Sequence, residues 1–154
     1  MIDLMIDNLH VRNKFRGVYP SDRLPSCLAT GQDHALLVNC ANSKSAGTHW
    51  VALYRDSFGV LYYFDSFGLP PTVPSIIQFI KTNSSVQKHN RKTLQSVTSK
   101  TCGLYCAYFI EKMCGGANMN QISQAFSDVA RNDRRIINLY RKRLLANGLS
   151  VALL

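Results

Sequence analysis

Leu94-Gln95-Ser96-Val97-Thr98-Ser99-Lys100-Thr101-Cys102-Gly103-Leu104-Tyr105-Cys106 is the stretch in which a polar, turn-like segment gives way to an apolar run that continues to Met113. The run has helical length, which predicts a buried helix beginning at Cys102. Backbone N–H groups at a helix start have no intrahelical partner, and the macrodipole places partial positive charge there. A thiol in that position ionises more readily, and the thiolate is the nucleophile. Gly103 has no side chain to obstruct a carbonyl approaching the sulfur. Gln95, seven residues before Cys102, offers a side-chain N–H of the kind that stabilises an oxyanion. The alternative reading of Cys102 is one more small buried residue, the commonest fate of a free cysteine.

A cysteine nucleophile needs a base, and the base needs an orienting group. Of His10, His34, His49 and His89, His49 heads a strand-like run, in Gly47-Thr48-His49-Trp50-Val51-Ala52-Leu53-Tyr54. His10 lies at the edge of the first helix, His34 opens another strand and His89 sits in a basic loop, none with an acid placed to orient it. Trp50 to Arg55 and Val60 to Phe64 are rich in β-branched and aromatic residues and are separated by Asp56-Ser57-Phe58-Gly59, the pattern of a hairpin. The tetrapeptide Asp-Ser-Phe-Gly recurs at Asp65. With the turn near Ser57 and Phe58, His49 falls opposite residues 65–67. Asp56 lies seven residues along the same strand, roughly 23 Å away at about 3.3 Å per residue. Asp65 is therefore the expected orienter of His49, and Asp56 is not. The register leaves open which face each side chain takes.

Gly-Thr-His-Trp, then Tyr-Phe-Asp-Ser-Phe-Gly, then Gln95 with Cys-Gly-Leu-Tyr-Cys seven residues on, resembles the adenovirus-type endopeptidases. The resemblance runs from about Phe15 to the helices near residue 140. It looks closest to the versions carried by virus-like Maverick or Polinton DNA transposons and related viruses. SUMO-removing proteases share the same order of His, Asp, Gln and Cys. The resemblance implies a cysteine endopeptidase with Cys102 as nucleophile, His49 as base, Asp65 as orienter and Gln95 in the oxyanion hole. It also implies that Trp50 borders the active site, where with Gly103 it would meet the substrate. Structural or capsid precursors cut at Leu/Ile/Met-x-Gly-Gly-like sites would be the substrates. Adenovirus enzymes carry Glu where this chain has Asp65, as SUMO proteases do, which weakens the transfer of substrate identity.

The 154 residues are enough for one domain with its own core, and 46% hydrophobic content fits a packed globule. No apolar run reaches the roughly 18 residues of a spanning helix, so no membrane partner is expected. Asp3 and Asp7 without a basic leader do not read as a signal peptide. Five cysteines, in no zinc-binding spacing, are expected to be reduced and to hold no metal. A non-secreted protein of the host nucleus or a virion, otherwise cytoplasmic, is expected. The net charge of +9 sits in the second half, where residues 81–154 hold twelve Lys/Arg against three Asp/Glu. That excess reads either as solubility or as a face for a polyanion such as DNA.

The remaining chain predicts an amphipathic helix over residues 3–14, turn chemistry from Phe15 to Asp22, and a buried first strand from His34 to Cys40. A helix is expected from Pro74 to Thr82, a basic loop from Asn83 to Arg91, and a strand from Lys92 to Val97 carrying Gln95. The central helix should stop at Gly115-Gly116, with a capping box at Asn118 to Gln121. Met113-Cys114-Gly115-Gly116 also matches the family's cleavage pattern, although two glycines equally end a helix. A last helix is expected from Asp133 to Leu145. On it Arg131, Arg134, Arg135, Asn138 and Lys142 share one face, suited to phosphate contacts or simply to water, while Ile136, Ile137, Tyr140 and Leu144 turn inward. The apolar tail 147–154 has no assigned place.

These readings give an α+β domain whose mixed or antiparallel sheet carries His49, Asp65 and Gln95 and packs on the helix of Cys102. Two rival functions remain: a protease that removes ubiquitin-like modifiers, and a non-enzymatic, nucleic-acid-binding capsid component. The resemblance requires no cofactor and raises DNA as a candidate stimulator. It also raises a short activating peptide tethered by a disulfide shortly before the glutamine. Asn83 to Leu94 contains no cysteine, and Ser84 stands nearest the corresponding place, so no such tether is expected there.

Overall fold

The computed structural model describes residues 9–146 and residue 148. The elements are α1 (Leu9–Arg12), β1 (Phe15–Pro20), β2 (His34–Asn39), β3 (Trp50–Arg55), β4 (Val60–Phe64), α2 (Pro74–Asn83), β5 (Val86–His89), α3 (Cys102–Cys114), α4 (Met119–Gln124) and α5 (Val129–Ala146). The strands form one sheet in the order β1-β2-β3-β4-β5. The two central pairings are antiparallel, and each edge strand lies parallel to its neighbour. The sheet is therefore mixed and the class α+β, as the sequence indicates.

The alternation of side chains along the strands builds two cores. Ala35, Leu37, Ala52, Tyr54 and Phe64 face α3, whereas Leu36, Val38, Val51, Leu53, Leu61 and Tyr63 face the other way, onto Ile76, Phe79 and Ile80 of α2. A strand covered on both faces needs apolar residues at every position, which is why β2 and β3 read as unbroken hydrophobic runs. Phe64 and Phe109 stack at 4.6 Å between ring centroids and fix α3 to the sheet. Truncating such an aromatic to Ala costs about 3–5 kcal/mol. α3 is buried along almost its whole length, sandwiched between the sheet and the helices α4 and α5.

Four expectations are corrected. Phe15 to Pro20 is an edge strand rather than a turn. Its Gly17, at φ +130°, and a register shift between Phe15 and Gly17 accommodate a bulge that reads locally as turn chemistry. The basic loop contains β5, whose Val86, Gln87 and Lys88 are exposed; an edge strand held by backbone pairing leaves no hydrophobic alternation to detect. Gln95 is on a loop, not a strand, because the N–H groups of Leu94 and Gln95 both donate to the single carbonyl of Ser66. The last helix starts four residues early, at Val129, where Asp128 accepts the N–H of Ala130 on its side chain at 3.0 Å and the N–H of Asn132 on its backbone at 2.8 Å.

Gly115 and Gly116 do end α3, the second at φ +91°, and Asn118 with Gln121 forms the expected capping box. Met113 and Cys114 are buried, which withholds the Gly-Gly segment's leading residues from any protease in the folded state. Residues 3–8 of the expected first helix and all of the tail but residue 148 lie outside the described residues. Among the described residues no helix is long and apolar enough to cross a membrane.

Candidate active site

The start of one inner strand, the end of its neighbour and one helix start meet at one end of the sheet. His49 immediately precedes β3, Asp65 immediately follows β4, and Cys102 is the first residue of α3. β3 pairs with β4 in the register Ala52↔Phe64, which carries the antiparallel hairpin back so that residues 49 and 67 are opposed. His49 Nε2 lies 3.0 Å from Asp65 Oδ1, and the imidazole stacks on Phe67 with centroids 5.2 Å apart. The twin aspartate is elsewhere. Asp56 Oδ1 accepts the N–H groups of Phe58 and Val60 at 3.0 and 2.9 Å, bracing its own hairpin turn.

Asp65 is itself held. Its Oδ1 also accepts the N–H of Phe67 at 2.8 Å. Asn90 grips its backbone in both directions, accepting from the N–H at 2.9 Å and donating to the carbonyl at 2.6 Å. Gly68, at φ +73°, turns the chain where the Arg91–Lys92 backbone passes so closely that a Cβ would meet it at 2.8 Å. Nothing in the sequence marks Asn90, an asparagine twenty-five residues from its partner.

With Nε2 engaged by Asp65, the ring's remaining nitrogen, Nδ1, is left for the neighbouring thiol of Cys102, whose ionisation His49 favours. Burial opposes charge on the imidazole, but Asp65 and then Cys102 outweigh it and push the His49 pKa up to about 9. Burial likewise opposes the thiolate. His49, with the N–H groups of Trp50 and Gly103, outweighs burial, so the Cys102 thiol falls below its usual range. The two shifts have opposite signs, and each favours a thiolate paired with an imidazolium. The other cysteines at this end behave differently. Burial pushes Cys40 up to about 11 and holds Cys106 well above its ordinary value.

Gln95 is almost wholly buried. Its Oε1 accepts from Ser66 Oγ at 2.6 Å and its Nε2 donates to Ser99 O at 2.8 Å. Those two bonds set which way the amide points and leave one N–H uncommitted. Trp50 borders a surface cavity of about 340 Å³ shared with Val18, Tyr19, Asn39, Ser45 and Gly47, and its carbonyl accepts from the Cys106 thiol. Gly103 is buried in the first turn of α3. Arg131, Arg134, Arg135 and Asn138 line one exposed cavity on α5, with Lys142 further along and also exposed. Arg131 pairs with Asp128, and Arg135 lies over the Phe126 ring. Ser84 bonds to Ile80 O at the end of α2.

A thiol of lowered pKa, a paired imidazole held by a carboxylate, and an oriented buried amide can together carry out attack on an acyl carbon. The adenovirus endoprotease family matches residues 15–124. The protease of ovine adenovirus D serotype 7 (isolate OAV287) is 25% identical over 120 residues, covering 69% of this chain and 59% of the relative. That of bovine adenovirus 4 is 24% identical over 140 residues, covering 80% and 69%. A solved ASFV protease shares 20% identity over 62% of this chain and 39% of its own, with a TM-score of 0.49. The chain thus spans little more than half the length of the ovine relative.

Proposed function

Since this chain belongs to the adenovirus endoprotease family, we propose that it is a cysteine endopeptidase acting through Cys102, His49, Asp65 and Gln95. The thiolate of Cys102 attacks the scissile carbonyl, and the imidazolium of His49 gives its proton to the leaving amine. Water, deprotonated by His49, then resolves the thioester. Asp65 keeps the Nε2 proton in place and stabilises the imidazolium, as the third member of a triad does. The uncommitted N–H of Gln95 and the backbone N–H of Cys102 receive the oxyanion. The observation that carries this reading is the 3.0 Å bond from His49 Nε2 to Asp65 Oδ1 beside a cysteine that opens a buried helix. The opposite directions of the His49 and Cys102 pKa shifts support it, because a structural cysteine among apolar neighbours would be pushed the other way.

The proposed substrates are structural or capsid precursors of a virus-like particle, cut at Gly-containing sites, which would place the protein in a virion or a nucleus. Trp50 and Gly103 are the proposed substrate neighbours. The exposed cations Arg131, Arg134, Arg135 and Lys142 are proposed to meet DNA without sequence readout. No cofactor is required, and no peptide is tethered at Ser84, whose hydroxyl cannot form a disulfide.

The test is incubation in reductant with Leu-x-Gly-Gly peptides and with a ubiquitin-like modifier fusion, with and without DNA. Cleavage of the peptides by the wild type and not by Cys102→Ala supports the proposal. Preference for the modifier fusion would reassign the substrate class, and no cleavage of either would remove the enzymatic reading.

A further inference from the structure

Residues 96–101, between the oxyanion donor and the nucleophile, have no regular secondary structure beyond one turn. Their geometry is therefore set by specific bonds rather than by a ladder or a helix. Two of those bonds, one at each end of the segment, converge on one side chain, Asp133, in the second turn of α5 and outside the span that the family match covers. Its Oδ2 accepts the backbone N–H of Ser96 at 3.1 Å, and its Oδ1 accepts the hydroxyl of Thr101 at 2.9 Å and that of Tyr105 at 3.1 Å. One carboxylate thus holds the residue after Gln95 with one oxygen and the residue before Cys102 with the other.

The link continues to the amide itself. Thr101 Oγ1, having given its proton to Asp133, accepts from Ser99 Oγ at 2.6 Å, and the carbonyl of Ser99 accepts Gln95 Nε2. Burial and the nearby carboxylate keep Tyr105 a phenol, hence a donor. The neighbouring Asn132 adds a bond from Nδ2 to Leu94 O at 3.0 Å.

We propose that Asp133 is a positioning residue of this active site, fixing the separation and direction of Gln95 relative to Cys102 by tying both ends of the intervening loop to α5. The inference rests on the endopeptidase reading above. Asp133 touches neither substrate nor thiol, so its removal acts on the oxyanion and spares the nucleophile. Asp133→Asn is the informative change. It keeps an oxygen for Thr101 and Tyr105 but can turn an amide N–H₂ against the N–H of Ser96.

Three quantities are measured on the whole chain: kcat and KM on a glycyl peptide, the rate of Cys102 alkylation by iodoacetamide, and Tm. Alkylation displaces iodide and builds no oxyanion, so it reports the thiolate alone. Asp133→Asn should lower kcat about tenfold or more while KM and alkylation stay within about twofold, as loss of transition-state stabilisation alone requires. In a Gln95→Ala background the same change should cost little further, because the two act as a unit. Should Asp133→Asn not fold, Thr101→Val carries the same expectations. The proposal is overturned by an unchanged kcat, by kcat and alkylation falling together, or by losses that multiply with Gln95→Ala. A wild type that neither cleaves nor is labelled at Cys102 removes the endopeptidase reading and this inference with it.

Discussion

Ser66 Oγ donates to Gln95 Oε1 at 2.6 Å, between two side chains that are almost fully buried. Because Ser66 follows Asp65 directly, the residue that orients the imidazole and the residue that orients the amide are neighbours on one turn. Ser66→Ala removes this donor and leaves a buried acceptor unsatisfied, a loss of about 1–3 kcal/mol. The amide is then free to reverse. The expected result is a kcat lowered by about tenfold or more, bounded by the roughly 10²–10³ of losing a donor outright, with KM little changed. Steady-state kinetics of the variant check it.

The two Asp-Ser-Phe-Gly tetrapeptides separate by mutation. Asp65→Asn can offer an N–H to Nε2 and so move the ring proton to Nδ1, where it blocks acceptance of the thiol proton. A loss on the order of 10⁴ in kcat is expected by analogy with wrong-tautomer triads. Asp56→Asn keeps an oxygen for the N–H groups of Phe58 and Val60 and should stay near wild type. Equal losses would contradict the hairpin register.

The ion pair sets a pH profile. His49 is raised to about 9, so the imidazolium, and the stability it contributes, is fully present below its unfolded pKa near 6.5 and is lost as pH rises through about 9. Activity should fall along that alkaline limb. On the acid side it should fall as the thiolate of Cys102 takes up a proton, below the range of a free thiol. His49→Ala leaves burial as the leading influence on Cys102, so its pKa should rise and alkylation at neutral pH should slow. Alkylation rate against pH in the two proteins measures both effects.

On α5 the cations are separable from the catalytic end. Replacing Arg131, Arg134 and Lys142 by Ala should weaken duplex DNA binding and reduce the salt slope by about 0.9 for each phosphate that is no longer neutralised. Basal peptide cleavage without DNA should not change. A slope unaltered by the triple substitution would assign this face to solubility.

What the sequence discloses and what it hides divide along physical lines. Cys102, His49 and Asp65 are legible because each stands at a change of pattern: a helix start, a strand start and a strand end. Two-sided burial of β2 and β3 is legible as unbroken apolar runs. β1 and β5 are not, since edge strands need neither alternation nor burial, and Gly17 and Pro20 imitate a turn. Gln95 is legible by residue type but not by element, because its segment is organised by bonds to Ser66, Ser99 and, through Ser96 and Thr101, Asp133. Those partners lie up to thirty-seven residues away, and polar pairs at such separations leave no local signature.

The nucleophile itself is tested most directly by trapping. A peptide ending in glycine and carrying a thiol-reactive vinyl ester is incubated with the reduced protein, and the adduct is mapped by mass spectrometry. One adduct per chain, on Cys102, formed at neutral pH and absent from Cys102→Ala, is the predicted result. Labelling of Cys27, Cys40, Cys106 or Cys114 with Cys102 untouched, or peptide cleavage that survives Cys102→Ala, would contradict it.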